Sequence, residues 1–567
     1  MKVSDYIVAF LIEKKITDVF GYPGGSVTNL VEALSKKKDI IAAHVVYNEQ
    51  AAAFAACGYA ASSGKIGVAY ATGGPGATNM ITAIGHAYFD SIPIICFTGN
   101  VNLYEMHGEM PIRQKGFQEL DILPLVSDIT KICMRVETAS DIKYCLEKAY
   151  SIAMSGRKGP VLVDLPMNIL REDIDEKSLN SYCEEIVEDA HKIPKKIIEE
   201  WICNSERPCF LFGNGLKSAN IQSKIKKLVY DSGIPYVTSM IAFDVIPHNE
   251  SYYGFIGAYG NRVANFIVEK SDLIIAIGSR MDIRQVGVNR DRFAPNANII
   301  RIDIDEGELE YKVHNDELDI CADATDVLDV LKSCKYKLSY QHWIEVCNQI
   351  KATLDGLDTL QANRYIEKIG EMLPEGVTVT TDVGQNQVWV AQSLHIKENQ
   401  KVLFSGGMGA MGHALPSAIG AYYGRRKPVI CICGDGGIQM NIQEFQFVYR
   451  EKLPVKIIVF NNKSLGMIRQ FQDVYFNGNC YQTKEEGGYS VPNFVKVANS
   501  YGIDGYSVFS FDDIKGMQER INNDMPELIE IVLDEDTSIF PKLEFGKPNY
   551  DQMPLIDRGI LKELLQL

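Results

Sequence analysis

Short apolar runs alternate with longer amphipathic stretches along the whole chain. In the first third the runs are IIAAHVVY (40–47), KIGVAYAT (65–72), IPIICFTG (92–99) and GPVLVDLP (159–166). The middle carries PCFLFGNG, SDLIIAIGSR and NIIRIDID, and the last third carries VTVTTDVG, KPVICICGDGG, VKIIVFNN and ELIEIVLD. Runs of this length, rich in β-branched residues and bounded by glycine, read as buried strands. Helical spacing between them predicts crossover helices, so each region folds as a parallel sheet covered by helices. The fold class is therefore α/β, with three doubly wound parallel-sheet domains at 1–172, 190–335 and 358–540. The acidic, irregular stretch REDIDEKSLNSYCEEIVEDA (171–190) predicts a linker. The last residues, 541–567, read as a tail that packs on another surface or closes over a site.

Bulk composition narrows the function. A chain of 567 residues has room for about three domains of ~150–200 residues each. The net charge is −16 and no run of basic residues occurs, which argues against nucleic acid or an anionic membrane as the main partner. The N-terminus lacks the zones of a signal peptide, and no apolar stretch reaches membrane-spanning length. The 13 cysteines are scattered without a CxxC pair; they read as small buried hydrophobes of a cytoplasmic protein. No pair of histidines has zinc-site spacing.

Candidate chemistry sits where strands run into glycine-rich turns: FGYPGGS and ATGGPGATN in the first region, TDVGQNQ and CGDGG in the third. Ligands of open α/β sheets bind at the carboxyl ends of strands, so two such domains facing each other could hold one ligand. In CGDGGIQMNIQEFQFVYREKLPVKIIVFNNKSLG (433–466) a strand, a helix and a second parallel strand bring Asp435 and Asn462 to one sheet edge. Two oxygen donors there suit Mg²⁺. Gly434, Gly436 and Gly437 let the backbone approach a bulky anion. The pattern reads as a Mg²⁺–diphosphate site, or equally as an ordinary βαβ turn with solvated polar groups. Glu49, in HVVYNEQAAAFAACGYA, heads an alanine-rich helix. Its alternatives are a cap or helix-dipole partner and a buried acid of raised pKa that shares a proton with a ligand.

A GDG followed, after a helix and a strand, by NN resembles the signature of thiamine diphosphate enzymes. That resemblance implies that Asp435, the Asn462 side chain and the Ser464 carbonyl hold the metal. It also implies that Glu49 hydrogen-bonds the cofactor's aminopyrimidine, whose imino form then draws the proton off the thiazolium carbon. The first domain would hold the pyrimidine and the third the diphosphate, from different subunits of a homodimer or dimer of dimers. Pro23, Gly24, Pro75 and Asn79 fall in the pyrimidine-side turns. Val383, Gly384, Gln385, Asn386, Gly409, Gly466 and Met467 fall in the diphosphate-side segments. Met411, in SGGMGAMGHALP, matches the bulky residue that props the bent cofactor; without the resemblance it reads as a core methionine.

The likeness spans nearly the whole chain and is nearest to the acetolactate synthase catalytic subunit, through FGYPGGSV, EQAAAFAACGYA, ATGGPGATN, GFQELDI, TDVGQNQVW and LGMIRQFQ. It implies decarboxylation of pyruvate and transfer of the two-carbon unit to a second 2-oxo acid. Gly25, Phe117 and Gln118 would line the reacting centre from one side, and Val383, Met467 and Phe471 from the other. Arg284 would face the acceptor; taken alone it reads as a surface ion pair. The central domain of such enzymes binds FAD without redox use. Here Gly213, Asn214, Gly215, Gly278, Ser279, Arg280 and Asp303 end β-rich runs, though no full GxGxxG occurs. Phe471 stands where tryptophan is usual, Met167 where lysine is, Ile283 where an aspartate precedes the arginine, and Asn386 where histidine is. The first three fall around the acceptor pocket. Transfer to a keto-sugar nucleotide or an aldehyde is therefore the alternative, followed by simple decarboxylation and then by a non-catalytic binding subunit. His413 is the sole histidine in a cofactor stretch.

Overall fold

The apolar runs form three six-stranded sheets in which every strand pair is parallel. The structure is a computed structural model and describes the whole chain except residues 184–192, 220 and 338. The first sheet contains β1 (Asp18–Gly21), β2 (Ala42–Val45), β3 (Gly67–Ala71), β4 (Ile94–Asn100), β5 (Ile132–Arg135) and β6 (Val161–Pro166), in the order β2-β1-β3-β4-β6-β5. The second contains β7 (Pro208–Phe212), β8 (Tyr236–Thr238), β9 (Tyr252–Phe255), β10 (Leu273–Ile277), β11 (Asn298–Asp303) and β12 (Leu318–Cys321), in the order β12-β11-β10-β7-β8-β9. The third contains β13 (Thr378–Thr381), β14 (Lys401–Leu403), β15 (Val429–Gly434), β16 (Val455–Asn461), β17 (Asp504–Val508) and β18 (Glu527–Val532), in the order β14-β13-β15-β16-β18-β17. The first and third sheets thus share one topology, and the central sheet has that of a dinucleotide-binding domain.

One core joins the first domain to the third. The helix Glu49–Ser63 packs on the helix Ala414–Arg425. Its alanines 51, 52, 53, 55 and 56 are all buried, as is the intervening Phe54. Small side chains let the two backbones approach closely: a Cβ on Gly420 would lie 1.8 Å from the Ala55 carbonyl oxygen. This packing explains the alanine run in the sequence.

The C-terminal tail lies on the central domain. Lys542 and Met553 pair through two backbone hydrogen bonds of 2.9 and 2.7 Å, and the Leu543 N–H donates to the Ala258 carbonyl at 2.7 Å. The buried Arg262 guanidinium donates to the carbonyls of Gln552 (2.9 Å) and Pro554 (2.6 Å). The final helix, Arg558–Gln566, buries Leu564 in the central core. The described part of the expected linker, 171–183, is mostly irregular; its remainder lies outside the described residues. No helix among the described residues is long and apolar enough to cross a membrane.

Candidate active site

β15 and β16 pair in register, with Gly434 opposite Phe460. Asp435 and Asn462 therefore leave the sheet at one edge, where they are 2% and 6% exposed. Asp435 Oδ1 accepts the Tyr489 hydroxyl at 2.9 Å and Oδ2 accepts the Ser464 N–H at 3.2 Å. Burial pushes its carboxyl up to about 6, against the pull of the Tyr489 hydroxyl and nearby N–H groups. No lysine or arginine pairs with it among the described residues. Asn462 spends its Nδ2 on Gln385 Oε1 at 3.0 Å, which leaves Oδ1 for another partner. The Ser464 carbonyl accepts the Gly466 N–H at 2.8 Å and keeps a second lone pair.

The same edge forms a cradle. A Cβ on Gly466 would meet Gln385 Oε1 at 1.9 Å, and one on Gly436 would meet Met411 Cε and the Tyr489 hydroxyl at 3.2 Å. Met411 thus stands beside the Gly434–Gly437 turn rather than in a core. Gly384 has φ +150° and Gly409 φ +66°. Asn386 turns its Nδ2 onto the Asp382 carbonyl at 2.7 Å, and its Oδ1 lies 3.3 Å from where a Gly434 Cβ would be. Val383 is half-buried beside these. His413 lies under the site: its Nε2–H donates to the Thr381 carbonyl at 3.0 Å, and its ring stacks on His86 at 5.1 Å. Burial pulls its pKa down to about 3, so it is neutral.

At the matching edge of the first sheet, Glu49 begins its helix, but Asn48 is the cap: its side chain accepts the Gln50 N–H at 2.8 Å. Glu49 Oε2 accepts Asn79 Nδ2 at 2.9 Å. Its Oε1 lies 3.0 Å from where a Gly76 Cβ would be. Pro75 opens the short helix that carries Asn79. Gln118 has φ +65° and its carbonyl abuts Gly74. Gly24 packs on Thr72, and Gly25 faces open space. Pro23 is exposed. The apolar enclosure expected around Glu49 is incomplete, because the residue is only half-buried in the protomer. Among the described residues, no side-chain hydrogen bond or ion pair joins Glu49 to Asp435, Asn462 or Ser464.

A cavity of about 400 Å³ lies where the three domains meet. Asn214, Gly215, Gly278, Ser279, Arg280 and Asp303 line it from the central domain, and Met467 from the third. Gly213 lies beneath, where a Cβ would meet the Gly278 carbonyl at 2.0 Å. Arg284 also lines the cavity and has no ion-pair partner among the described residues. Although Ile283 replaces an expected acid, Asp282 supplies one a position earlier: it lines the cavity and caps the Arg284 N–H at 2.8 Å. Phe471 packs at a tilt against Tyr475, with ring centroids 4.7 Å apart. Met167 begins a short helix after β6, on the first domain with Glu49 and apart from these aromatic contacts.

Sequence reasoning missed Tyr489, Glu444 and Lys542. Glu444 Oε1 accepts the Tyr47 N–H at 2.9 Å and so ties the approach to Glu49 onto the third domain. No motif spacing marks any of the three.

Fold and site together define a three-domain α/β enzyme whose first and third domains each end strands in glycine-lined turns. Residues 1–125, 196–331 and 382–531 match, respectively, the N-terminal TPP-binding, central and C-terminal TPP-binding domains of thiamine pyrophosphate enzymes. The chain belongs to the thiamine pyrophosphate enzyme family. It is 31% identical to acetolactate synthase isozyme 2 large subunit of Escherichia coli, over 98% of this chain and 99% of that one. It is 36% identical to a probable acetolactate synthase large subunit of Methanocaldococcus jannaschii, over 99% and 100%. It is 33% identical to the acetolactate synthase large subunit of Cyanidium caldarium, over 98% and 97%.

Proposed function

We propose that the chain is an acetolactate synthase-like carboligase. It decarboxylates pyruvate or a related 2-oxo acid with thiamine diphosphate and transfers the two-carbon unit to a second carbonyl, a 2-oxo acid first among candidates. The observation that carries this reading is the buried Asp435 carboxylate, which has metal-ligating oxygens nearby at Asn462 and Ser464 and no cationic partner among the described residues.

The donor set fits Mg²⁺: one carboxylate, one amide oxygen and one backbone carbonyl, with room for phosphate oxygens and water. Asp435, Asn462 and Ser464 would hold the ion. Gly434, Gly436, Gly437, Gly409 and the Gly384–Asn386 segment would admit the diphosphate, and Met411 would support the bent coenzyme. When bound, thiamine diphosphate supplies the nucleophilic carbon and electron sink that a 2-oxo acid needs to lose CO₂. Glu49 holds and moves a proton at its carboxyl oxygens, and the Asn79 amide fixes the orientation of Oε2.

Among the described residues, no hydrogen bond or ion pair joins Glu49 to the Asp435 group within one chain. The ring of Phe117 is 87% exposed, a costly placement for an isolated apolar side chain. We therefore assign the active site to a homodimer, or a dimer of dimers. One copy supplies Glu49, Gly25, Phe117, Gln118 and Met167, and the other supplies Val383, Met467, Phe471 and Arg284. Arg284 is a guanidinium free to take a carboxylate in two parallel bonds. The cavity of about 400 Å³ is of ligand size. Its close strand ends at Gly213 and Gly278 suit a dinucleotide, so we assign it to FAD without a redox step.

The test is purified protein with thiamine diphosphate, Mg²⁺ and pyruvate, followed by CO₂ release and mass spectrometry of the products. Release of CO₂ with a new carbon–carbon bond in the product supports the reading. No CO₂ from any 2-oxo acid overturns it in favour of a binding subunit.

A further inference from the structure

We propose that Lys542 and Arg284 form an acceptor subsite for a carbonyl compound that carries an anionic group, phosphate or carboxylate, remote from its carbonyl. This inference rests on the carboligase reading and specifies its second substrate.

Lys542 is 9% exposed. Its Nζ sits over the rings of Phe471 (5.9 Å) and Tyr475 (5.6 Å). No hydrogen bond or ion pair of that ammonium occurs among the described residues. Other buried cations of the chain are satisfied: Arg262 pairs with Asp358 at 2.5 Å, and Lys217 with Asp244 at 2.6 Å. Burial pulls the pKa of Lys542 down, and Glu544 opposes this from a distance. A partly desolvated ammonium held over two ring faces, with no ion pair among the described residues, is incompletely compensated. An anion would complete it.

The location is what makes this a substrate feature. Met467, Phe471 and Tyr475 stand four residues apart on the helix Gly466–Tyr475, so they share one face. That face starts at the cofactor edge, where Met467 lines the cavity, and runs outward to the two rings under Lys542. The tail is pinned there: the Leu543 N–H donates to the Ala258 carbonyl at 2.7 Å, and the Ala258 N–H donates to the Arg284 carbonyl at 2.9 Å. Tyr259, the next residue, lies near both Arg284 and Tyr475. Lys542 and Arg284, neither with an ion pair among the described residues, thus lie on the two sides of Tyr259 and Tyr475. One to two helical turns separate Met467 from Lys542's rings, roughly 5–11 Å at 5.4 Å per turn. That span exceeds the distance between the carbonyl and carboxylate of a simple 2-oxo acid, and it suits a remote anionic group.

The reaction balances without an oxidant. The donor's carboxylate leaves as CO₂, and the bonding pair it leaves behind forms the new bond to the acceptor's carbonyl carbon. The acceptor's carbonyl π pair takes a proton from solvent and becomes a hydroxyl.

The experiment compares kcat/KM for acceptors with pyruvate as donor: 2-oxobutyrate, 2-oxoglutarate, glyceraldehyde 3-phosphate and a nucleoside-diphosphate keto-sugar. Wild-type enzyme should favour at least one of the last three over 2-oxobutyrate, and the arm that wins separates a carboxylate from a phosphate source. Lys542→Met should lower that preference by about 10- to 100-fold, the effect of one lost charge-assisted bond, through KM. Lys542→Arg should retain most of it. A wild-type enzyme without the preference, or a Lys542→Met variant of unchanged Tm and unchanged preference, overturns the subsite while leaving the carboligase reading intact. Absence of CO₂ release in wild type overturns both.

Discussion

The hydroxyl of Tyr489 donates to Oδ1 of Asp435 at 2.9 Å. The carboxylate assigned to Mg²⁺ therefore has an outer partner that fixes its rotation. Losing such a partner costs about 10- to 100-fold in metal affinity. Tyr489→Phe should raise the Mg²⁺ dissociation constant by about that factor, measured by fluorescence titration in the presence of thiamine diphosphate. Asp435→Ala should abolish Mg²⁺-dependent retention of the coenzyme altogether. Wild-type Mg²⁺ affinity in Tyr489→Phe would show that the hydrogen bond is idle.

Glu49 and Asp435 offer a direct test of a shared site. Glu49→Gln keeps the shape of the side chain and its contact with Asn79, yet cannot carry the proton; turnover should fall by orders of magnitude while the coenzyme stays bound. Asp435→Ala should be inactive for a different reason. A hybrid dimer of the two variants has one site with both lesions and one site with neither. Co-expressed hybrids should recover about half of the wild-type turnover per dimer, the one intact site of two. Hybrids as inactive as their parents would place both groups in one chain's site.

The parts of the fold legible in sequence are those held by burial on both faces. β4 and β16 are buried along their whole length, and β15 along all but its last residue, because helices cover both sides of the sheet. β5, β9, β12, β14 and β17 lie at sheet edges, and β1 and β8 are only 4 and 3 residues long; none leaves a long apolar run. The same reasoning sorts the site. Asp435, Asn462 and Glu49 were legible because strand ends fix their spacing. Tyr489 and Lys542 reach their places through irregular chain, whose path no periodicity records. Local sequence predicts more apolar cover for Glu49 than the half-buried residue has, because it does not record how far neighbouring loops reach over a helix start.

Glu444 makes the domain junction sensitive to pH. It is fully buried, with Oε1 on the Tyr47 N–H, while Oε2 makes no full-strength hydrogen bond among the described residues. Burial pushes its carboxyl from 4.5 up to about 8, against the Tyr47 and Asn48 N–H groups and Arg450. Between those two values the native state holds a proton that the unfolded chain has released. Stability contributed by this group is therefore present below about pH 4.5 and is lost as pH rises to about 8. Glu444→Gln keeps an oxygen for Tyr47 and removes the titration. Its Tm should gain on wild type as pH goes from 5 to 9; a constant difference between the two proteins would contradict the shift.

Gly420 tests how the first and third domains are joined. A methyl there has no flexible neighbour to displace: the nearest atoms are backbone, the Ala55 carbonyl oxygen at 1.8 Å and the Tyr59 nitrogen at 2.8 Å. The two helices must separate to admit it. Overpacking of this kind costs about 1–3 kcal/mol or more. Gly64, which ends the Glu49–Ser63 helix with φ +75°, has open space around its missing Cβ; alanine there incurs only the left-handed backbone penalty of about 1–2 kcal/mol. Gly420→Ala should therefore lower Tm at least as much as Gly64→Ala, despite its ordinary helical backbone. It should also lower turnover in the folded protein, because the displaced helix carries Glu49 at its first position. Thermal melts of the two variants, with turnover measured below both transitions, decide the matter. A Gly420→Ala enzyme of wild-type Tm and turnover would mean that the helix pair slides freely and does not hold Glu49 in place.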